Sequence, residues 1–369
     1  MTKILITGGA GFIGAHLAAE LLTAGYAVRV LDKLDEQVHD DQTHPSYLDS
    51  DVELTIGDIT DRDCVRRALD GIDMVCHFAA NVGVGQSMYE MVRYTQTNDV
   101  GTAVLLEEMA RTEIRKLLVA SSMSVYGEGL ARAGTKLVEP QPRPLEQLKA
   151  GSWELLSPDG GVLEPIATPE TKSPSLHSIY ALNKFMQERM GLIFGAAYGR
   201  DVVAMRFFNV YGPYQALSNP YTGVLAIFGS RLLNRRPPMI FEDGMQRRDF
   251  VHVRDVARAC RLALQSPRAR GRVINVGSGQ SRTVLDIAQT MARVMGRPEI
   301  TPHVTGKYRA GDIRHCFADI SLARDLLGFV PEMRFEDGLA ELVEWLLEQK
   351  AIDSVEQATA ELSRRGLVA

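Results

Sequence analysis

Through the first half of the chain, short apolar runs alternate with longer stretches whose apolar residues recur every three or four positions. Residues 4–7, 27–32, 52–56, 74–78, 116–121 and 202–207 are each brief and rich in Val, Ile or Leu, which predicts strands buried on both faces. Helical patterns begin between them near Gly11, Asp61, Val92 and Tyr180. Strand–helix alternation of this kind builds a parallel sheet with right-handed crossovers and helices on both sides, an α/β, Rossmann-type doubly wound fold. Ligands of such sheets sit beyond the carboxyl ends of the strands.

Past Phe208 the pattern loosens. Pro213, Pro220, Pro237 and Pro238 punctuate shorter elements before a helix resumes over 254–265. We expect a dinucleotide-binding domain over 1–208 and a smaller, mainly substrate-binding lobe over 209–369, interleaved with it. Segment 129–177, with Pro140, Pro142 and Pro144 close together, is expected to be an inserted loop or flap, because proline breaks helices and central strands. After Asp337, Leu339, Leu342, Trp345 and Leu346 keep helical spacing and predict a packing helix.

Composition narrows the functional classes. The 369 residues, 45% of them apolar, can bury a full core, and a net charge of −5 lacks the basic excess of a nucleic-acid or anionic-membrane binder. Cys64, Cys76, Cys260 and Cys316 are scattered and match neither a metal spacing nor a disulfide framework. No apolar run approaches the ~18 residues of a membrane span. A soluble, cytoplasmic protein without a metal is expected.

Two features carry chemistry. In Gly8-Gly-Ala-Gly-Phe-Ile-Gly14, a strand runs through a glycine turn into a helix, so that Gly8, Gly11 and Gly14, with Phe12 and Ile13, bring backbone amides close to a pyrophosphate. The next strand ends at Asp32, where a carboxylate accepts ribose hydroxyls and repels a 2′-phosphate, favouring NAD over NADP; Lys33 beside it leaves some tolerance for NADP. Asp58, followed by Ile59, either meets the adenine amine or caps the next helix, and Phe78, Ala79 and Ala80 allow a cofactor close to the fourth strand. Tyr180 and Lys184, one helical turn apart, share a face. A tyrosine at its ordinary pKa of ~10 is a poor base at neutral pH, so the ammonium and a positive nicotinamide are expected to bring Tyr180 down by ~3 units, worth about 4 kcal/mol.

These motifs, with Ser121-Ser-Met-Ser-Val-Tyr-Gly127, Arg206-Phe-Phe-Asn-Val-Tyr-Gly-Pro213 and Arg248-Asp-Phe-Val-His-Val253, resemble the extended short-chain dehydrogenase/reductase family, in its nucleotide-sugar epimerase and dehydratase branch, along nearly the whole chain. The resemblance implies a Ser122–Tyr180–Lys184 triad, NAD as cofactor and a nucleotide-diphosphate sugar as substrate. Family dehydratases carry an Asp-Glu pair after the triad hydroxyl. Met123 and Ser124 stand there in this chain, and methionine cannot transfer a proton, which argues against 4,6-dehydration. The residues are then those of a 4-epimerase working through a transient 4-keto sugar, or of a C4 reductase or dehydrogenase with nearly the same set; a non-enzymatic NAD-sensing scaffold is disfavoured by the intact triad.

By the same resemblance, Asn209, Arg248 and Arg309 meet the diphosphate and nucleoside, and Asp312 belongs to an R-x-G-D element. Each also has a structural alternative, Arg248 pairing with Asp249 or Asp255 and Arg309 with Asp312. Ser87 either touches the sugar or caps a helix, Ser124 joins the substrate set, and His77 and His252 are expected to be packed rather than catalytic. Segments 129–177 and 215–223 resemble the subgroup of dTDP-L-rhamnose 4-epimerases, with UDP-hexose and UDP-hexuronate epimerases as the alternative. The family commonly dimerises through two helices, which here fall over 92–111 and 180–198 and imply a homodimer.

Overall fold

The computed structural model describes residues 1–39, 44–215, 223–309, 311–348 and 363–368; most of segment 215–223 lies outside these. The chain opens with β1 (Lys3–Thr7), α1 (Phe12–Thr23), β2 (Ala27–Asp32), β3 (Glu53–Ile56), α2 (Arg62–Leu69) and β4 (Met74–His77). Short helices α3 (Val84–Ser87) and α4 (Met91–Thr95) lead through a π-helical turn (Gln96–Val100) into α5 (Gly101–Met109) and β5 (Lys116–Ser122). The insert contains β6 (Ala131–Ala133), β7 (Lys136–Val138), α6 (Leu145–Lys149) and β8 (Glu164–Pro165). Then come α7 (Ile179–Tyr198), β9 (Asp201–Phe207), β10 (Asn209–Tyr211), α8 (Val224–Leu233), β11 (Met239–Ile240), β12 (Arg247–His252), α9 (Val253–Gln265) and β13 (Arg272–Val276). The chain continues through β14 (Ser281–Thr283), α10 (Val284–Val294), β15 (His303–Val304), β16 (His315–Cys316), α11 (Ser321–Leu327) and α12 (Phe335–Glu348).

Seven parallel strands form the main sheet in the order β13-β9-β5-β4-β1-β2-β3. The apolar runs predicted it, except for β13. That strand interrupts its apolar pattern with Asn275, which is fully buried and bonds Tyr126, Thr168 and Asp319. Chain order reverses beside β1, flanked by β2 and β4, and this opens a crevice at the carboxyl ends of the strands.

Local chemistry sets the helix ends. Asp61 caps α2 through the amides of Asp63 and Cys64, and Ser178 caps α7 through that of Ala181. Gly199, at φ 65°, closes α7 in the left-handed conformation. A second core gathers Tyr211, Phe228, Ile287 and Met291 with Leu339, Leu342 and Leu346 of the terminal helix.

The insert departs from expectation. It is a small built unit: the three-stranded sheet β7-β6-β8 packs over Ala131, Leu155 and Leu163. Its strands are two or three residues long, too short to leave a periodic signal. Charges tie it to the second lobe. Arg143 grips Glu242 through two bonds of 2.8 and 2.9 Å, and the fully buried Arg314 reaches Glu154, Glu242 and Asp243. The buried Glu128 accepts the amides of Arg314 and His315.

All four cysteines are buried free thiols. Among the described residues no helix is long and apolar enough to cross a membrane, and no cluster could hold a metal ion.

Candidate active site

A cavity of about 400 Å³ occupies the crevice. Gly8, Gly11, Phe12, Ile13 and Gly14 line it from the first turn, Asp32 from the end of β2, Ile59 from beyond β3, and Phe78, Ala79 and Ala80 from the end of β4. Ser122, Tyr180, Lys184 and Asn209 also line it. Residues far apart in sequence thus meet where the sequence placed a cofactor and its chemistry.

The turn has the shape that a dinucleotide requires. A Cβ on Gly8, which sits at φ +71°, would meet the backbone nitrogen of Ala79 at 2.6 Å, and one on Gly14 would meet the Gly8 carbonyl at 2.5 Å. Gly11 begins α1 without any side-chain cap, so the first amides of that helix face the cavity, as anion binding demands. The Asp32 carboxylate is held by the amides of Ala10 and Leu34, both at 3.0 Å. Lys33 bonds Asp35 at 2.8 Å, and although burial opposes it, this pairing with Lys33 holds the Asp35 carboxyl down at about 2. The cation beside Asp32 is thus paired with Asp35, and the Asp32 carboxylate stands at the end of β2 in the cavity. These residues fit NAD.

Continuing from Asp35 along the cavity, Gln37 and Gln86 exchange amide hydrogen bonds of 3.0 and 3.2 Å, and Arg93 bridges Asp35 and Glu90. Sequence reasoning missed this network, since nothing in separate loops announces that their side chains meet.

Tyr180 and Lys184 project from one face of α7, both buried. Ser122, near enough to the Tyr180 phenol to favour its ionised form, accepts from the amide and hydroxyl of Ser124 at 3.2 and 3.0 Å. The expected lowering of Tyr180 is not found in the protein by itself. Burial pushes its phenol up to about 12, with Ser122 offsetting part of this, while burial brings Lys184 down to about 7. The Lys184 ammonium turns to Gln187, 2.8 Å away, so the cation that was to stabilise a phenolate is engaged elsewhere.

Other predicted residues lie outside the cavity lining. Ser87 is fully buried, donating to the Val84 carbonyl and accepting the Tyr180 amide at 3.0 Å. Its one hydroxyl proton goes to Val84, and Ser87 lies outside the cavity lining, where it serves as an additional acceptor at the start of α7. The Asp58 carboxylate is taken by the amide and hydroxyl of Thr60, both at 2.8 Å, and the cap of α2 falls to Asp61. Ser124 is buried behind Ser122.

Arg248 bonds the carbonyls of Arg247, Ile313 and Arg314 and lies 3.9 Å from Asp312; neither Asp249 nor Asp255 is its partner. Arg309 stacks over the Phe241 ring at 4.8 Å, and Asp312 accepts the Ile313 amide. His77 and His252 are packed, as expected, and burial lowers them to about 3 and about 4.

A dinucleotide cradle facing a Ser–Tyr–Lys set defines the class as a nicotinamide-dependent enzyme. The model of the NAD dependent epimerase/dehydratase family matches residues 4–147 and 146–277, and the chain belongs to that family. It is 34% identical to a dTDP-L-rhamnose 4-epimerase of Burkholderia thailandensis over 94% of this chain and 95% of that protein. The crystal structure of a UDP-glucose 4-epimerase from Thermotoga maritima with UDP-glucose superposes with a TM-score of 0.77 at 30% identity, covering 94% of this chain and 99% of the other. A UDP-glucuronic acid 4-epimerase from Bacillus cereus, solved with UDP-glucuronic acid and NAD, gives the same TM-score and coverage at 27% identity.

Proposed function

We propose that this protein is an NAD-dependent nucleotide-sugar 4-epimerase that works through a transient 4-keto sugar, with dTDP-L-rhamnose and dTDP-6-deoxy-L-talose as the first pair to test. One observation carries the reading. The Tyr180 phenol and Ser122 line the same cavity as the glycine cradle and Asp32, while the positions of the dehydratase acid and base hold a buried Met123 and a Ser124 bonded to Ser122.

Bound NAD supplies a hydride acceptor that can also return the hydride. Ser122 orients the sugar O4. Tyr180 takes the O4 proton as the C4–H bond breaks and the C4–O4 bond becomes a carbonyl, then gives a proton back to O4 after the sugar has turned and C4 is reduced on its other face. Lys184, freed from Gln187, holds the nicotinamide ribose and stabilises the phenolate, which the buried phenol cannot reach unaided.

Asn209, whose Oδ1 is buried without a partner among the described residues, together with Arg248, Arg309 and Asp312, would hold the diphosphate and nucleoside. We assign the dinucleotide half to 1–208 and the main substrate lobe to 209–369. The protein would act in the cytoplasm as a homodimer. The exposure of Val92 at 70%, Ile193 at 59% and Met91 at 49% on α4 and α7 supports pairing with a second copy through those helices.

The test is incubation with dTDP-L-rhamnose, UDP-glucose and UDP-glucuronate separately, with the C4 configuration read by NMR. Inversion without added NAD is expected with the first substrate. Conversion that consumes reduced cofactor stoichiometrically would move the assignment to a C4 reductase.

A further inference from the structure

Lys184 does not stand alone behind Tyr180. Its Nζ donates to Gln187 Oε1 at 2.8 Å, and both side chains are buried. Gln187 Nε2 in turn donates to Thr102 Oγ1 at 3.0 Å and to the Ala79 carbonyl at 3.4 Å, beside His77 Nε2 at 3.2 Å.

The protons in this cluster can be placed from its ends. Thr102 has one hydroxyl proton, and it goes to the Asn98 carbonyl at 2.5 Å. Thr102 Oγ1 can then only accept, from Gln187 and from His77 Nε2–H at 2.8 Å. That fixes the His77 tautomer and leaves Nδ1 to accept the Thr7 hydroxyl at 2.7 Å, while Thr7 Oγ1 takes the Ala79 amide at 3.4 Å. Gln187 is locked in turn. Rotating its amide would set its oxygen against the Thr102 lone pairs and the Ala79 carbonyl, and its NH₂ against an ammonium.

We propose that Gln187 is a positioning residue for Lys184: its amide, oriented by Thr102 and the Ala79 carbonyl, offers one uncharged acceptor that keeps the lysine protonated in a dry site yet releases it to the cofactor ribose. An anion in its place would trap the ammonium as a salt bridge, and an apolar side chain would leave it without any ligand. The surroundings leave this task to Gln187. The titratable groups on the packed elements are His77 on β4, Tyr94 on α4, Tyr180 and Glu188 on α7, Arg206 on β9 and Asp99 on the π-helical turn. Burial keeps His77 neutral and raises both phenols, Arg206 and Ser121 hold Glu188, and Asp99, itself raised by burial, accepts from Asn183 through Oδ2 at 2.7 Å. Among the described residues no carboxylate pairs with the lysine, and burial alone lowers it.

The inference rests on the epimerase reading for its consequence but not for its test. Lysine labelled with ¹³C at Cε is titrated by NMR in the NAD-free protein, the state in which Lys184 rests on Gln187, with Lys184 assigned through Lys184→Arg. Gln187→Met, of similar length without an acceptor, should lower the Lys184 midpoint by about one pH unit, a tenfold loss of proton affinity. Thr102→Val, which frees the amide to rotate, should lower it in the same direction by less, and it serves alone if Gln187→Met does not fold. NAD affinity should fall away at a correspondingly lower pH in each variant, since the protonated lysine held by Gln187 is the form handed to the ribose. Unchanged midpoints in both variants would overturn the assignment. Shifted midpoints in a protein that epimerises nothing would preserve it and remove the proposed function instead.

Discussion

The glycine cradle and the inserted unit at 129–177 are both well-formed, yet they are held by opposite means. The cradle is made of backbone and absence: Gly8 and Gly14 pack where no Cβ fits, and its neighbours lie within a few residues in sequence or one strand away. The insert is fastened by side-chain charge across long sequence distances, Arg143 to Glu242 and Arg314 to Glu154. Steric fit responds to added volume and ignores pH. Charge fastening responds to both partner loss and protonation.

The largest effect that separates them is expected from Glu242→Ala. It strands the buried guanidinium of Arg143 and takes one of three carboxylates from Arg314, and breaking a buried pair from one side costs about 3–5 kcal/mol. Denaturant unfolding should show that loss, with protease cleavage appearing first in the insert. Gly14→Ala should cost less stability, about 1–3 kcal/mol, because backbone must shift around one methyl. Its signature is weaker NAD binding by at least about tenfold, measured by titration, with the insert as protected as before.

Acid should produce the smallest and most selective change. The hydrogen bond to His315, against the opposing effect of burial and with help from Arg314, holds Glu154 at about 2, below its unfolded value. A carboxylate lowered on folding contributes stability above its unfolded pKa, near ~4.3, and loses it as pH falls toward about 2. Hydrogen exchange should therefore rise in the insert within that window before it rises in β1 and β4. Equal exchange in both regions would show that the charges do not fasten the insert.

This contrast also explains what could be read in advance. Runs such as Ile4–Leu5–Ile6 report their strand because a parallel strand is buried on both faces, and Tyr180 and Lys184 report their shared face because helical geometry is local. Met123 and Ser124 could be judged by what their side chains cannot do. Gln187 was equally legible in principle, three residues beyond Lys184 on the same helix, but glutamine at that spacing is ordinary on any helix. Its meaning comes from Thr102, His77 and Ala79, which only the fold brings to it. Ser87 shows the reverse case, a residue whose sequence neighbours suggested a ligand and whose burial beneath α7 makes it an acceptor at the start of that helix.

The proposed chemistry depends most on the phenol of Tyr180. In Tyr180→Phe, bound NAD per subunit and C4 inversion of dTDP-L-rhamnose should be measured on the same preparation. We predict unchanged NAD content with turnover reduced by about a hundredfold to ten-thousandfold, the contribution of a positioned general base. Near-normal inversion by the phenylalanine variant would contradict it.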